Sequence, residues 1–263
     1  MTQQDLKNKH ALVCGGSKGI GFASAVALAE MGAHVTLLSR SVEKLISAKD
    51  QLPLIFEGQV HDIISLDLGD AHTIQQKIKS IFKDAKFSIL INNSGGPEAG
   101  PVANAEPIAF LKAFEQHLIA SHVLTQALIP GMKKNHYGRI INIISTSVKI
   151  PLQGLGVSNT IRGAMANWSK TLSSELAPFG ITVNNVLPGA TATERLDEII
   201  QNKSKKSLKD TETVIKDMVH EIPMGRFAKP EEIAAAVAFL ASPAASYITG
   251  INIPVDGGRT GCL

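Results

Sequence analysis

The feature that most constrains the fold is a glycine-rich turn near the amino terminus, Cys14–Gly21, with the sequence CGGSKGIG. It follows a short apolar run, His10–Cys14, and leads into a segment with helical periodicity, Ile20–Met31. Glycine suits this position because the chain must turn sharply, admit a ligand close to the backbone and pack the helix against the strand. The sequence therefore predicts a strand, a ligand-binding turn and a helix in this order.

Short apolar runs and longer helical segments alternate through the rest of the chain. The runs are apolar throughout, which is typical of strands buried on both faces. They are His34–Leu38, Val60–Leu66, Ser88–Asn92, Arg139–Ile144, Ile181–Leu187 and Ile251–Val255. The helical segments are Val42–Leu52, Ala71–Phe82, Pro107–Lys134, Ser158–Ala177 and Pro230–Leu240. This alternation predicts an α/β fold with a doubly wound parallel sheet of the Rossmann type.

The domain organisation follows from length and from the absence of dividing segments. A chain of 263 residues with 44% hydrophobic content can bury a large core, and no repeat or Pro/Gly-rich linker interrupts it. We therefore predict one domain, residues 1–263. The segment Thr191–Ile222 is polar, lysine-rich and longer than an ordinary connection. We expect it to form a mobile, partly helical lid over the substrate.

Charge and cysteine content argue against several classes of protein. The 26 basic and 23 acidic residues are scattered, so there is no broad cationic face of the kind that binds nucleic acid. Two cysteines, Cys14 and Cys262, are too few for a disulfide framework or a cysteine metal site. No segment resembles a signal peptide or the ~20-residue apolar run that spans a bilayer. We expect a soluble cytoplasmic protein without a nucleic-acid, membrane or metal partner.

The glycine turn has the chemistry of a diphosphate site. Free N–H groups at the start of a helix, together with the helix dipole, favour an anion. The candidate binding residues in the turn are Gly15, Ser17, Lys18, Gly19, Ile20 and Gly21. The sequence therefore predicts a dinucleotide cofactor at this turn.

The end of the second predicted strand indicates which dinucleotide is bound. Ser39 and Arg40 follow this strand, and a basic residue there favours the 2′-phosphate of NADP, whereas an acidic one would bind the free ribose of NAD. Lys18 in the glycine turn is close enough in the expected fold to bind the same phosphate. The alternative is that Arg40 and Lys18 are solvated loop charges. We predict NADP(H) as the cofactor.

Four further motifs follow the glycine turn in a fixed order. They are Asn92–Gly95 (NNSG), the strand Gly138–Ser145, the group Pro188, Gly189 and Thr193, and the carboxy-terminal Asp256–Gly258. With the glycine turn, which has Cys14 at the usual Thr position of TGxxxGxG, they resemble the short-chain dehydrogenase/reductase superfamily. The likeness spans nearly the whole chain and is greatest for the branch that includes β-ketoacyl carrier-protein reductases.

The resemblance implies further contacts and a reaction class. It implies that the cofactor also contacts Asp67, Leu68, Asn93, Ser94, Gly95, Arg162, Pro188, Gly189 and Thr193. It also implies a small-molecule carbonyl or acyl substrate, and a homodimer or homotetramer formed through the long helices.

The catalytic positions depart from the family pattern. The family uses an Asn, a Ser, a Tyr acid/base and a Lys four residues after the Tyr. Ser145 lies at the serine position, whereas the Tyr and Lys positions fall on Ser158 and Arg162 and the Asn position falls on His117. The YxxxK motif is therefore absent. The remaining tyrosines, Tyr137 and Tyr247, are not expected near the site.

The replacements change the available proton chemistry. A serine hydroxyl is much less acidic and shorter than the tyrosine phenol, and Arg162 stays protonated, so it can hold a ribose or an oxyanion but cannot donate a proton. An imidazole with a pKa near ~6.5 suits proton transfer, so His117 is the titratable candidate, although a buried histidine is often structural. Two functions remain open: an NADPH-dependent oxidoreductase that acts on a carbonyl or alcohol substrate with an atypical site, and an inactive NADP-binding sensor or scaffold.

Overall fold

The computed structural model of the protein describes residues 5–82 and 86–262. It contains the predicted parallel sheet, with strands β1 (His10–Cys14), β2 (His34–Ser39), β3 (His61–Ser65), β4 (Phe87–Asn92), β5 (Gly138–Ile143), β6 (Ile181–Pro188) and β7 (Asn252–Val255). All neighbouring strands are parallel, in the order β3-β2-β1-β4-β5-β6-β7. This order confirms the predicted Rossmann-type fold.

The helices connect consecutive strands across both faces of the sheet. They are α1 (Gly19–Glu30), α2 (Val42–Lys49), α3 (Ala71–Ile81), α4 (Pro107–Ala113), α5 (Ala120–Lys134), α6 (Gly156–Leu176), α7 (Glu194–Ser207), α8 (Thr211–His220) and α9 (Pro230–Ala241). Among the helices in the described part of the chain, none combines the length and hydrophobicity needed to span a bilayer. One long helix was predicted over Pro107–Lys134, but a π-helical turn, Phe114–Ile119, separates α4 from α5.

The hydrophobic core has two layers because strand side chains alternate between the faces of the sheet. In β1, Val13 packs with residues of α1 and α9, whereas Leu12 packs with residues of α3 and α5. Both are completely buried. Strand β1 is therefore buried on both faces, as the sequence indicated, whereas the edge strand β3 is partly exposed and carries Asp62.

The order of the strands reverses between β1 and β4. These strands are neighbours in the sheet although β2 and β3 lie between them in sequence. In open α/β sheets this change opens a crevice at the carboxyl ends of the strands, where ligands bind. The glycine turn follows β1 at this edge, and the Asn93–Gly95 segment follows β4. The fold thus brings together two of the predicted binding motifs.

A chain of asparagine amides connects four neighbouring strands near this edge. The Nδ2 of Asn92 donates to Oδ1 of Asn142 (2.8 Å), and the Nδ2 of Asn142 donates to Oδ1 of Asn185 (3.0 Å). Asn185 donates in turn to Asn252 (2.8 Å), and Asn142 also donates to the hydroxyl of Ser169 on α6 (2.8 Å). These buried hydrogen bonds fix the strand ends that carry the candidate site.

The predicted lid segment, Thr191–Ile222, contains two helices, α7 and α8. They pack through a small apolar cluster that includes Leu196, Ile200 and Val214. The segment is therefore helical and has a core of its own. Its mobility and its closure over a substrate remain predictions.

Candidate active site

The backbone of the glycine turn requires glycine at specific positions. Gly15 and Gly19 have φ angles of 58° and 57°, in the left-handed region that favours glycine. A Cβ on Gly21 would lie 2.2 Å from the carbonyl oxygen of Gly15 and 2.7 Å from Nδ2 of Asn93. That amide donates to the carbonyl oxygen of Cys14 (3.3 Å). Asn93, directly after β4, thus holds the glycine turn in a shape that leaves no space for a side chain at Gly21.

The start of α1 is open to an anion. The N-cap residue Lys18 makes no side-chain capping hydrogen bond, and the first turn of the helix contains no acidic residue. The first N–H groups of a helix have no acceptor within the helix, so those at Gly19, Ile20 and Gly21 are available to a ligand. This cradle fits the diphosphate of a dinucleotide.

The candidate 2′-phosphate region contains one exposed cation and one paired cation. Arg40 is exposed and forms no ion pair with a described residue, and the buried hydroxyl of Ser39 has no partner there. Lys18, which was predicted to be available for the phosphate, instead donates to the Glu194 carboxylate. Lys18 and Lys44 both lower the pKa of Glu194, so Lys44 also lies in this region.

Lys44 was not identified from the sequence. The sequence signal that could have identified it is its position four residues after Arg40, in the first turn of α2. Basic residues at that position lie close to the end of β2, where the 2′-phosphate of NADP is predicted.

The other predicted cofactor residues border the same crevice. Asp67, after β3, accepts from the backbone N–H of Gly69 (2.9 Å), and Leu68 is half-buried beside it. Pro188 ends β6, and the next residue, Gly189, is bonded to the backbone of Val255 (3.0 Å).

Thr193 connects the lid segment to the glycine turn. Its methyl carbon lies 3.4 Å from the position that a Cβ on Gly19 would occupy. Its hydroxyl donates to the carbonyl oxygen of Thr191 (3.2 Å), which fixes the side chain just before α7 begins. The structure thus brings Thr193 to the glycine turn, and its contact with the cofactor stays a prediction.

His117 lies on the π-helical turn and contacts the segment after β4. Its Nδ1 is 2.7 Å from the hydroxyl of Ser94, while its Nε2 is buried without a partner. Gln116 on the same turn donates to the carbonyl oxygen of Gly95 (3.1 Å). The π-helical turn therefore fixes the predicted binding residues Ser94 and Gly95.

The predicted titration of His117 near neutral pH is wrong. Burial, and secondly the nearby charge of Arg162, lower the pKa of the imidazole to about 3. The ring is only 2% exposed, so the charged form loses nearly all its hydration. At physiological pH His117 is neutral and holds no proton to release as an imidazolium.

Arg162 is a buried cation in α6, one helical turn after the half-buried Ser158. Its Nη1 donates to the carbonyl oxygen of Ile143 at the end of β5 (3.2 Å), whereas its Nε has no partner. Burial, and secondly the charge of Arg195, lower its pKa to about 10, so it remains protonated at neutral pH. Among the described residues no carboxylate pairs with Arg162.

Ser145 follows β5 and is oriented by its own turn. Its Oγ accepts from the backbone N–H of Ser147 (3.1 Å), so the hydroxyl hydrogen stays available to another acceptor. A cleft of about 210 Å³ begins directly beyond it. The cleft is lined by Thr146, Ile150, Leu152, Glu221, Arg259 and Thr260. An ion pair between Arg259 and Glu221 borders this cleft.

The two tyrosines lie away from this edge, as expected. Tyr137 precedes β5, and its hydroxyl donates to the carbonyl oxygen of Ala241 at the end of α9 (2.7 Å). Tyr247 is fully exposed in the connection before β7. Neither is available to replace the missing tyrosine.

Arg195, in the first turn of α7, was missed by the sequence analysis. Its Nη2 donates to the carbonyl oxygen of Pro97 (2.8 Å), and its Nη1 pairs with Glu198 (2.9 Å). It connects the lid segment to the loop after β4. Nothing in the sequence distinguished it from the other charged residues of that segment.

Comparison with known proteins identifies the family and related reductases. The family model described as enoyl-(acyl carrier protein) reductase matches residues 15–260. The NADPH-dependent reductase BacG of Bacillus subtilis is 34% identical over 258 residues, covering 96% of this chain and 98% of that protein. The 3-oxoacyl-[acyl-carrier-protein] reductase FabG of Rickettsia felis is 33% identical over 254 residues, covering 97% and 98%.

Solved structures agree with these matches. The crystal structure of YwfH, an NADPH-dependent reductase involved in bacilysin biosynthesis, superposes with a TM-score of 0.89 at 34% identity and covers 97% of this chain and 99% of that one. The L-sorbose reductase of Gluconobacter frateurii, in complex with NADPH and L-sorbose, has a TM-score of 0.90 at 29% identity and covers both chains completely.

Proposed function

Because the chain belongs to the short-chain dehydrogenase/reductase superfamily, we propose that it is an NADPH-dependent oxidoreductase that reduces a carbonyl group with an atypical catalytic site. The observation that carries this proposal is the buried Arg162 guanidinium beside the strand that leads to Ser145. Burying a cation without a carboxylate is costly. Such a group is expected where a negative charge forms or binds during function.

Several residues support NADP(H) as the cofactor. The glycine turn offers free N–H groups to the diphosphate, and Arg40 offers an unpaired cation to the 2′-phosphate. We propose that Lys44 adds to this charge, and that Lys18 contributes when it exchanges its exposed Glu194 partner for the phosphate. Exposed ion pairs are weak, so this exchange costs little. Relatives named as NADPH-dependent reductases support the same assignment.

Bound NADPH supplies the hydride that reduces the substrate carbonyl. We propose that Ser145 donates its free hydroxyl hydrogen to the carbonyl oxygen. Because Oγ already accepts from the Ser147 amide, the direction of this hydroxyl is restricted. Arg162 then stabilises the negative charge that develops on the same oxygen.

The product oxygen needs a proton, and no tyrosine hydroxyl is available at this site to donate it. Arg162 cannot release one, and the lowered pKa of His117 excludes a stored imidazolium. We propose that a solvent proton passes through the Ser158 hydroxyl, which lies on the same face of α6 as Arg162. His117, as a neutral ring, then positions Ser94 through their 2.7 Å hydrogen bond.

The second candidate is a protein that binds NADP(H) without hydride transfer and acts as a sensor or scaffold. The absence of YxxxK favours it, because neither Ser158 nor Arg162 reproduces an acidic phenol. The two candidates differ in the need for Arg162: a sensor does not require a buried cation that no described carboxylate neutralises.

Rapid-mixing measurements of NADPH oxidation separate the two functions. The purified protein is mixed with NADPH and a panel of ketones, aldehydes, oxo acids and acyl thioesters. We expect oxidation with at least one substrate, and we expect Ser145→Ala and Arg162→Gln each to slow it by roughly 10²- to 10³-fold.

The matched control is Tyr247→Phe, which changes a fully exposed residue and is expected to keep the wild-type rate. Tight NADPH binding without oxidation of any substrate would favour the sensor. Wild-type rates in both Ser145→Ala and Arg162→Gln would contradict the proposed site.

A homodimer or homotetramer remains part of the proposal. Exposed apolar residues on the 3₁₀ turn Val102–Asn104 and on α4 are available for such contacts. They are Val102, Ile108 and Leu111. Light scattering of the purified protein measures the mass directly, and a monomer would contradict this part.

A further inference from the structure

Two arginines from different elements approach the same point beside the segment after β4. The Nη2 atoms of Arg195 and Arg162 lie 3.7 and 3.8 Å from the position that a Cβ on Gly96 would occupy. Their separation therefore cannot exceed the sum of these two distances. Gly96 places no side chain beside the two guanidinium groups.

The described residues balance the charge of this pair only in part. Glu198 pairs with Arg195 itself, whereas Glu221 pairs with Arg259 and Glu194 with Lys18. In the described ranges none of them pairs with Arg162. The side chains of Arg162, Arg195 and Glu198 together carry one net positive charge.

Arg162 has unused hydrogen-bonding capacity beside Gly96. It is 92% buried, and its one hydrogen bond to a described residue uses Nη1, toward the carbonyl oxygen of Ile143. Its Nε is buried without a partner. A planar guanidinium with free donors matches the two oxygens of a carboxylate.

From this geometry we infer that Arg195 and the Nη2 of Arg162 bind the carboxylate of the substrate, which leaves the Nε of Arg162 for the charge on the carbonyl oxygen, so that the substrate is a small oxo acid. This inference rests on the proposed reduction of a carbonyl. Ile143, which accepts from Arg162, lies two residues before Ser145, so Arg162 is anchored close to Ser145. A carboxylate bound by Arg162 is therefore held near a carbonyl bound by Ser145. Arg195 is the specificity-determining residue, and its tie to Pro97 holds it in place.

The charge count favours a carboxylate over a phosphate. One net positive charge is neutralised by a carboxylate. A phosphate monoester carries about −1.5 to −2 charges at pH 7 and would leave an excess of negative charge in a partly buried site. We therefore expect phosphorylated compounds to bind less tightly than carboxylates of similar size.

The test measures binding and turnover separately in the full-length protein. Binding of oxamate, an analogue of a 2-oxo acid, to the NADPH complex is compared with binding of the neutral ethyl oxamate by calorimetry. Turnover of 4-methyl-2-oxopentanoate is compared with that of its methyl ester. The variants are Arg195→Gln, Arg195→Lys and a control, Lys206→Gln, at the far end of α7.

We expect wild type to bind oxamate and Arg195→Gln to weaken this binding by roughly ten- to 100-fold, which is the usual loss for a charge-assisted hydrogen bond. Arg195→Lys is expected to restore part of the affinity. In Arg195→Gln, the affinities for ethyl oxamate and for NADPH are expected to stay unchanged. The Lys206→Gln control is expected to bind oxamate as the wild type does. In turnover, KM for the acid is expected to rise while the ester is unaffected.

Three outcomes would overturn the inference. They are equal affinity for oxamate and its ester, a loss of NADPH affinity in Arg195→Gln as large as that for oxamate, and tighter binding of phenyl phosphate than of oxamate. Turnover of neutral ketones without preference for acids would leave the proposed reduction intact and refute the inference alone. Oxamate binding that depends on Arg195 without any turnover would support the carboxylate site and refute the reductase.

Discussion

Replacing Gly21 with alanine tests the structure of the glycine turn. The added Cβ would lie 2.2 Å from the carbonyl oxygen of Gly15 and 2.7 Å from Nδ2 of Asn93. Both distances are far below van der Waals contact, and the Gly15 oxygen belongs to backbone that follows directly from β1. The turn can therefore accept alanine only by moving away from the strand.

The magnitude follows from two opposing effects. Overfilling a packed site costs about 1–3 kcal/mol, and the upper end applies because the contact is with backbone. Alanine in a helix gains about 1 kcal/mol over glycine. We expect a net loss of about 2 kcal/mol in the free energy of unfolding. NADPH affinity should fall by more than roughly 100-fold, because the displaced N–H groups lose at least two charge-assisted hydrogen bonds.

The assay is urea unfolding of the free protein together with a fluorescence titration with NADPH. Gly163→Ala is the matched control, because Gly163 is also helical and a Cβ there meets nothing within 4 Å. That variant is expected to gain about 0.5–1 kcal/mol of stability. If Gly21→Ala behaved like Gly163→Ala and bound NADPH normally, the reasoning about the turn would be refuted.

Four further changes have expected outcomes. Because the pKa of His117 is lowered to about 3, the folded state excludes a proton that the unfolded chain accepts below pH ~6.5, so stability falls as the pH decreases. Urea unfolding should show about 2 kcal/mol less His117-dependent stability at pH 5 than at pH 8, and an equal pH dependence in His117→Gln would contradict this. Arg40→Asp should reduce the NADPH-to-NADH affinity ratio by at least roughly ten-fold in titrations, and an unchanged ratio would exclude the 2′-phosphate assignment. Glu194→Gln should release Lys18 and raise NADPH affinity by at most about five-fold in the same titration, with no gain for NADH; a loss would show that the ion pair helps binding. Asn142→Leu should cost about 2–4 kcal/mol in urea unfolding because it leaves buried amides of neighbouring strands without partners, and a stable variant would show that the amide chain is dispensable.

The fold was predictable because its signals are local. Most strands are short apolar runs and most helices are periodic, so the order of elements and the parallel sheet followed from the sequence alone. The position of the glycine turn between β1 and α1 was predictable for the same reason. The π-helical turn that divides the long helix after Pro107 was not, since nothing in its composition marks it.

The site was only partly predictable because its charges interact over long distances in the sequence. Lys18 pairs with Glu194, which is 176 residues away, so its availability to a phosphate could not be judged from the turn itself. The pKa of His117 depends on burial and on Arg162 in another helix. Arg195 becomes notable only when the lid segment is folded against the loop after β4.

The most direct test of the central claim is a crystal structure of the protein with NADPH. We predict the diphosphate oxygens at about 2.7–3.2 Å from the backbone nitrogens at the start of α1, and the 2′-phosphate beside Arg40. The nicotinamide should then lie between Ser145 and Thr193. A site without NADPH at millimolar concentration, or NADPH bound away from the glycine turn, would contradict the claim.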